Sequence, residues 1–198
     1  MNCHVDPQGD RHPLFTDNTT ANLGLPRNPD LSFYRETGPD PFGYVPNPQG
    51  AAFVDKGAGD FLRSPETANE TWKELAPKFD GRMRVMTLRN VDKRPRPDFV
   101  KAYMHNGYFK SLKAVVHFYN TRDVLPRCEA GEPGAGMSCW PAPENPENLS
   151  ANCCNLGLTE AQEDDLVTFL GTLSDGYAAP ASSPATSTSA PSWGASQR

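Results

Sequence analysis

Five cysteines and four histidines hold most of the capacity of this chain for metal and redox chemistry. Cys3 and His4 are adjacent, and Cys-His is the second half of C-x-x-C-H. In that spacing two thiols bond the vinyl groups of a haem and the next histidine is forced onto the iron. The first cysteine would stand immediately before Met1, so the spacing predicts that Met1 is internal to a longer gene and that the chain is a fragment. The five cysteines exceed what a reduced cytosolic protein of this size needs, and an oxidising compartment is expected. Cys128 and Cys139 bracket a Gly/Pro loop and would close a short ring. The neighbours Cys153 and Cys154 are expected to avoid bonding each other, because that geometry is strained. Pairing across the 126–156 loop is the expectation for them, with the connectivity left open. A zinc site competes for these thiols, but the C-x-x-C pairs that zinc usually takes are missing.

Three helices can be read that would position these groups. A short one covers Ala68 to Leu75, with Pro77 stopping it. A second begins after Ser111 as N-cap and sets Leu112, Val115, Val116 and Tyr119 at i, i+3, i+4 and i+7, which turns all four inward. The third opens with the capping box Thr159-Glu160-Ala161-Gln162 and presents Leu166, Phe169, Leu170 and Leu173, with Asp164 and Asp165 on the solvent side. Residues 5–58 carry turn signals such as Asn28-Pro29, Asp40-Pro41 and Asn47-Pro48 and read as packed loop. From Tyr177 to Arg198, 18 of 22 residues are Ala, Ser, Thr, Pro or Gly, a composition with too little to bury to offset its ordering entropy. The expected organisation is a folded unit over 1–176 and a disordered tail over 177–198, in which Trp193 is the one apolar anchor.

Twenty prolines and sixteen glycines in 198 residues exceed the usual share without reaching that of a disordered chain. The fold class expected is all-α, with few short helices and long loops. Nineteen Lys+Arg against 24 Asp+Glu give a net charge of −5, which argues against a nucleic-acid role for the whole chain. No run of about 18 apolar residues is present to form a spanning helix, and the first residues lack the pattern of a secretory leader. Between Arg82 and Lys101 seven basic residues face Asp92 and Asp98; such a patch could steer an acidic redox partner or be a solvated charge run. Three short helices make a poor core for some 175 residues, and a large apolar cofactor would supply what the side chains do not.

Several segments, in order, resemble the C-terminal half of the bacterial dihaem cytochrome c peroxidases and MauG. They are His12-Pro13-Leu14-Phe15-Thr16-Asp17, Asn22-Leu23-Gly24-Leu25-Pro26-Arg27-Asn28, Thr87-Leu88-Arg89-Asn90-Val91, Tyr103-Met104-His105-Asn106-Gly107, Val115-Val116-His117-Phe118-Tyr119-Asn120 and Leu156-Gly157-Leu158-Thr159. The resemblance implies a cytochrome c-like domain with one haem c, the electron-transfer haem of the family. It implies Cys3 as the thiol on the porphyrin, His4 as one iron ligand, and Tyr119 as the other, fourteen residues after His105, with Met104 as the alternative. Arg89 would pair with a propionate and His105 would sit beside the haem, while His12 and His117 would be exposed or structural.

In that family the reaction is peroxide reduction with electrons from a small redox protein, or oxidation of a partner protein in the MauG-like case. The peroxide-reacting haem belongs to an N-terminal domain that this sequence lacks, so the chain by itself is expected to have no peroxidase turnover. The resemblance further implies a periplasmic location and a homodimer in the full-length form. The family's calcium site uses carbonyls here near Val100 and Ala102, but its other ligand belongs to the absent domain. Met86 stands where the family usually has proline, and the stretch from Arg89 to His105 is longer than the common spacing. A haem-free, disulfide-stapled interaction domain is the rival reading.

Overall fold

Ser111 accepts a hydrogen bond from the Ala114 amide at 3.1 Å and opens a helix, and Thr159 does the same for another through a complete capping box with Gln162. Both N-termini lie where the capping residues predict. In the computed structural model, which describes residues 3–4, 14–66 and 69–176, the elements run β1 (Thr20–Ala21), α1 (Ala58–Arg63), α2 (Glu70–Leu75), β2 (Met83–Arg84), α3 (Leu112–Thr121), β3 (Arg127–Cys128), β4 (Trp140–Pro141) and α4 (Glu160–Thr172). Single 3-10 turns occupy Ser32–Arg35, Gly50–Ala52 and Ala76–Phe79. The expected disordered tail with Trp193 lies outside the described residues, as does His12. The chain is therefore rich in short helices, with two small sheets beside them. β1 pairs antiparallel with β2, and β3 pairs parallel with β4.

The core gathers around α3. Leu112 and Val116 are buried as their spacing predicts, but Val115 and Tyr119 are only half-buried. Phe118, on another face of the helix, is fully buried and meets Trp140 edge-on at 4.9 Å and Phe109 at 5.3 Å. Tyr103, Leu25 and Leu170 complete this cluster. Helix α3 thus buries two faces, and the second needs Trp140, whose indole N–H donates to Thr121 Oγ1 at 3.0 Å. A disulfide between Cys128 and Cys139 holds β3 and β4 together beside that tryptophan. The other disulfide corrects the sequence expectation, since Cys153 and Cys154 bond each other rather than partners across the loop. The physical reason is local: the Cys154 N–H donates to Asp123 Oδ2 at 3.1 Å and its carbonyl accepts from the Asp123 N–H at 3.0 Å, which fixes the backbone with the two sulfurs side by side.

Asparagine side chains hold the loops. Asn28 donates to the Asn106 carbonyl at 2.8 Å while Asn106 donates to the Pro26 carbonyl at 2.8 Å, so two of the segments that carry the family resemblance clasp one another. Asn90, in the left-handed region at φ 60°, exchanges hydrogen bonds with Asp175 and accepts no helix of its own; it closes the far end of α4 through its N–H to the Leu173 carbonyl. Most of the basic run is likewise spent internally, with Arg82 on the Thr20 carbonyl, Arg94 on Asp92, Arg96 on Asp98 and Lys101 on the carbonyls of Asn90 and Lys93.

Helix α4 is locked to α3 by the buried Glu163, whose carboxylate meets His117 Nδ1 at 3.1 Å, Asn120 Nδ2 at 2.8 Å and Lys113 Nζ at 3.3 Å. Burial alone would raise this carboxyl, but the hydrogen bonds from Asn120, His117 and Lys113 outweigh it and hold the pKa below the ordinary glutamate value. A depressed folded pKa contributes stability that is complete above the unfolded value and is lost as the pH falls through the folded one. Glu163→Gln should cost about 1–3 kcal/mol at neutral pH and should flatten the acid side of the stability profile. Urea unfolding near neutrality and in mild acid checks this, and parallel profiles for the two proteins would contradict it.

Candidate functional site

The Cys3-His4 pair is pinned from both sides. The Asp17 amide donates to the Cys3 carbonyl at 2.9 Å, and His4 Nδ1 lies 2.8 Å from the Phe15 carbonyl. A carbonyl only accepts, so Nδ1 carries the proton and Nε2 keeps its lone pair for a metal, the outer-shell arrangement typical of ligating histidines. Among the described residues Nε2 has no hydrogen-bond partner. Cys3 is the one free cysteine; burial and then the charge of Asp17 push its thiol pKa up.

Tyr119 stands on α3. Its pKa is pushed up to about 12, first by burial and second by the charge of Cys3, so the thiol is near enough to act on the phenol. Among the described residues the phenol has no hydrogen-bond partner. Next to His4, through Phe15, the surface is apolar. Phe15 meets Phe169 edge-on at 6.3 Å, Leu14 and Phe169 are about half exposed, and Met86 is 64% exposed. Leu14, Phe15 and Met86 are carried by the antiparallel run of residues 14–21 beside 83–87, in which Thr16 Oγ1 donates to the Val85 carbonyl and Thr87 Oγ1 to the Leu14 carbonyl, both at 2.5 Å, and Phe169 joins Phe15 from α4. A thiol, a histidine with a free Nε2, an unpartnered phenol and a half-covered apolar rim form a donor set that fits a large, flat, apolar group carrying a metal.

The remaining candidates lie elsewhere. Met104 sits at φ 67° in the turn between Tyr103 and Phe109, whose backbones bridge, and with His105 it lines a cleft of roughly 450 Å³ that also includes Asn28, Asp30, Asn106 and Lys110. Burial lowers the His105 pKa, against the opposing charges of Asp55 and Glu144. Arg89 is exposed, its amide donating to Thr87 Oγ1 at 3.2 Å next to the strand that carries Leu14. Val100 and Ala102, named for a calcium ion, are exposed. His117 is structural, bonded to Glu163 and to the Met137 carbonyl at 2.8 Å.

Sequence reasoning missed two clusters. In one, Tyr34 donates to the buried Glu144 at 2.5 Å while the Arg27 guanidinium lies 3.9 Å over the Tyr34 ring. In the other, Asp123 stands against the bonded pair Cys153–Cys154. Only Arg27, inside a family-like segment, could have signalled the first, and only the adjacency of the cysteines the second.

No protein-family model matches the chain. It is 29% identical over 162 residues, 82% of its length, to the cytochrome-c peroxidase IdrP1 of Denitromonas iodatirespirans. It is 34% identical over 178 residues, 87% of its length, to the methylamine utilization protein MauG of Paracoccus denitrificans. The chain spans 35% and 38% of the lengths of these two relatives. Among solved structures it is similar to a variant of the diheme peroxidase BthA from Burkholderia thailandensis, with a TM-score of 0.55 and 26% identity over 83% of this chain and 35% of that one.

The unpartnered phenol leads to a stability test. In the chain without cofactor, Tyr119→Phe should change the unfolding free energy by less than about 0.5 kcal/mol, because no hydrogen bond is lost. Tyr34→Phe should cost about 1–3 kcal/mol, because it leaves the buried Glu144 short of a donor. Urea denaturation of both variants checks the contrast, and a large cost at Tyr119 would assign its hydroxyl to the scaffold.

Proposed function

Because this chain belongs to the dihaem cytochrome c peroxidase and MauG family and has a cytochrome c peroxidase-like fold, we propose that residues 1–176 form a c-type haem domain that carries electrons within such an enzyme. The observation that carries this reading is the state of His4, the residue after the free Cys3: its Nδ1 is held on the Phe15 carbonyl, and among the described residues its Nε2 has no hydrogen-bond partner. When bound, the haem supplies one-electron chemistry.

The residues of this chain supply the rest. Cys3 would hold the haem covalently and His4 would bind its iron, with the imidazole tautomer set by the Phe15 carbonyl. Tyr119 would supply the other iron ligand from a helix that Phe118 and Glu163 hold on its other sides, with Met104 as the alternative. A phenolate is a harder donor than a thioether and gives a lower potential than His/Met ligation. Phe15, Phe169, Leu14 and Met86 would form the apolar edge that excludes water, and Arg89, close in sequence to Met86, would pair with a propionate; a hydrogen bond from His105 would require the haem to reach the separate cleft that residue lines.

In the full-length protein the electrons would serve peroxide reduction or the oxidation of a partner protein. A small redox protein is the donor, the second haem domain is the internal acceptor, the location is periplasmic and the assembly a homodimer. No helix among the described residues is long and apolar enough to cross a membrane. A haem-free interaction module remains the second reading, favoured by the two disulfides.

Absorbance separates the two. Protein exported behind a leader into a haem-competent periplasm should show a Soret band, and haem should stay with it after acid-acetone extraction. Cys3→Ser should weaken that retention, His4→Ala should abolish the low-spin spectrum, and Tyr119→Phe should change the spin state of the ferric form. A colourless protein from the same host supports the interaction module, and a spectrum unchanged by Tyr119→Phe transfers the second ligand to Met104.

A further inference from the structure

Cys153 and Cys154 form a disulfide between neighbours, with a sequence separation of 1. A disulfide stabilises a fold chiefly by closing a loop in the unfolded chain, and the gain grows with the length of that loop. The Cys128–Cys139 bridge, with a separation of 11, has a loop to close; the neighbouring pair has none. What the second bond does is hold two sulfurs next to a carboxylate. One oxygen of Asp123 and the sulfurs of Cys153 and Cys154 all lie within 4.8 Å of one another.

The scaffold around them is built from both sides. The Asp123 carboxylate accepts the Cys154 N–H at 3.1 Å and the Arg122 guanidinium at 2.7 Å. Arg122 is itself buried and donates to the carbonyls of Leu23 at 2.6 Å and Ser150 at 2.9 Å. The carboxylate oxygens retain lone pairs beyond these bonds. Cys154 has no exposed surface, whereas Cys153 keeps 9% of its surface open and Asp123 faces solvent, which leaves a route in for a small reagent.

We propose that this pair, once opened by a dithiol reductant, becomes together with Asp123 a binding site for a soft divalent cation of the zinc and cadmium class. In the first step two electrons and two protons pass from the dithiol to the disulfide; the sulfur–sulfur bond of Cys153–Cys154 breaks and the dithiol closes into its own disulfide. In the second, the cation displaces both thiol protons to solvent and forms two metal–sulfur bonds. Asp123 supplies the third donor and water the fourth, completing a tetrahedron. Two thiolates and one carboxylate carry three negative charges; the cation and Arg122 carry three positive ones, so the filled site is neutral. Thiolate donors select soft cations over calcium and magnesium. The donors come from positions 123, 153 and 154, so no C-x-x-C spacing is needed.

The experiment uses the haem-loaded protein and its Cys128→Ser/Cys139→Ser variant, which leaves one disulfide. Each is treated with a dithiol, freed of it anaerobically and titrated with Cd²⁺, following thiolate-to-cadmium absorption and heat. One Cd²⁺ per chain should bind after reduction and none before, in both proteins. Asp123→Asn should weaken binding about tenfold, and blocking the two thiols with iodoacetamide should abolish it. Reduced protein whose thiols at 153 and 154 are confirmed by mass spectrometry but which takes up no cadmium would overturn the proposal. So would uptake that survives Cys153→Ser/Cys154→Ser or the thiol block, or a disulfide that resists the dithiol.

Discussion

Buried backbone amides and carbonyls must be hydrogen-bonded, and in a chain whose strands are two residues long that duty falls on side chains. Asparagine does most of it. Asn22, Asn28, Asn47, Asn106, Asn120 and Asn145 are buried, and each spends its amide on the backbone of a distant or neighbouring loop. These clasps take the place of a sheet. Long loops can then stay irregular and still be fixed, which is what the proposed site over residues 3–4, 14–17, 86–89 and 119 would require.

Helix α3 is where the separate demands meet. One face carries Phe118 into the aromatic core, a second presents His117 and Asn120 to Glu163, and a third leaves Tyr119 where the charge of Cys3 acts on it. At its end Arg122 and Asp123 hold the loop that bears Cys153 and Cys154. The candidate axial ligand and the cysteine pair thus depend on one rigid element less than four turns long.

What could be read from the sequence was whatever local chemistry determines. The N-caps Ser111 and Thr159 announced α3 and α4, because a side-chain oxygen three residues before a free amide is a local event. The adjacency of Cys3 and His4 made them candidates for the same reason. Phe118 was not legible, since its burial depends on Trp140, which arrives from a segment 22 residues later. The asparagines were legible as turn residues, yet their second duty as loop clasps involves partners up to 125 residues away. Helix α1 went unread because Gly57 and Gly59 argue against a helix, although Gly59 is there to let Asp80 approach; a Cβ at that position would stand 1.9 Å from the Asp80 carboxylate. The cysteine pair was misread because the expectation weighed ring geometry and could not weigh the two backbone bonds from Asp123.

The Cys128–Cys139 bond joins a half-buried cysteine to a buried one, and the residue that follows it is Trp140, the largest side chain in the centre. Covalent chemistry in this loop therefore governs how the interior is filled. A substitution at either of these cysteines acts at one remove on the indole that Phe118 and Phe109 lean against.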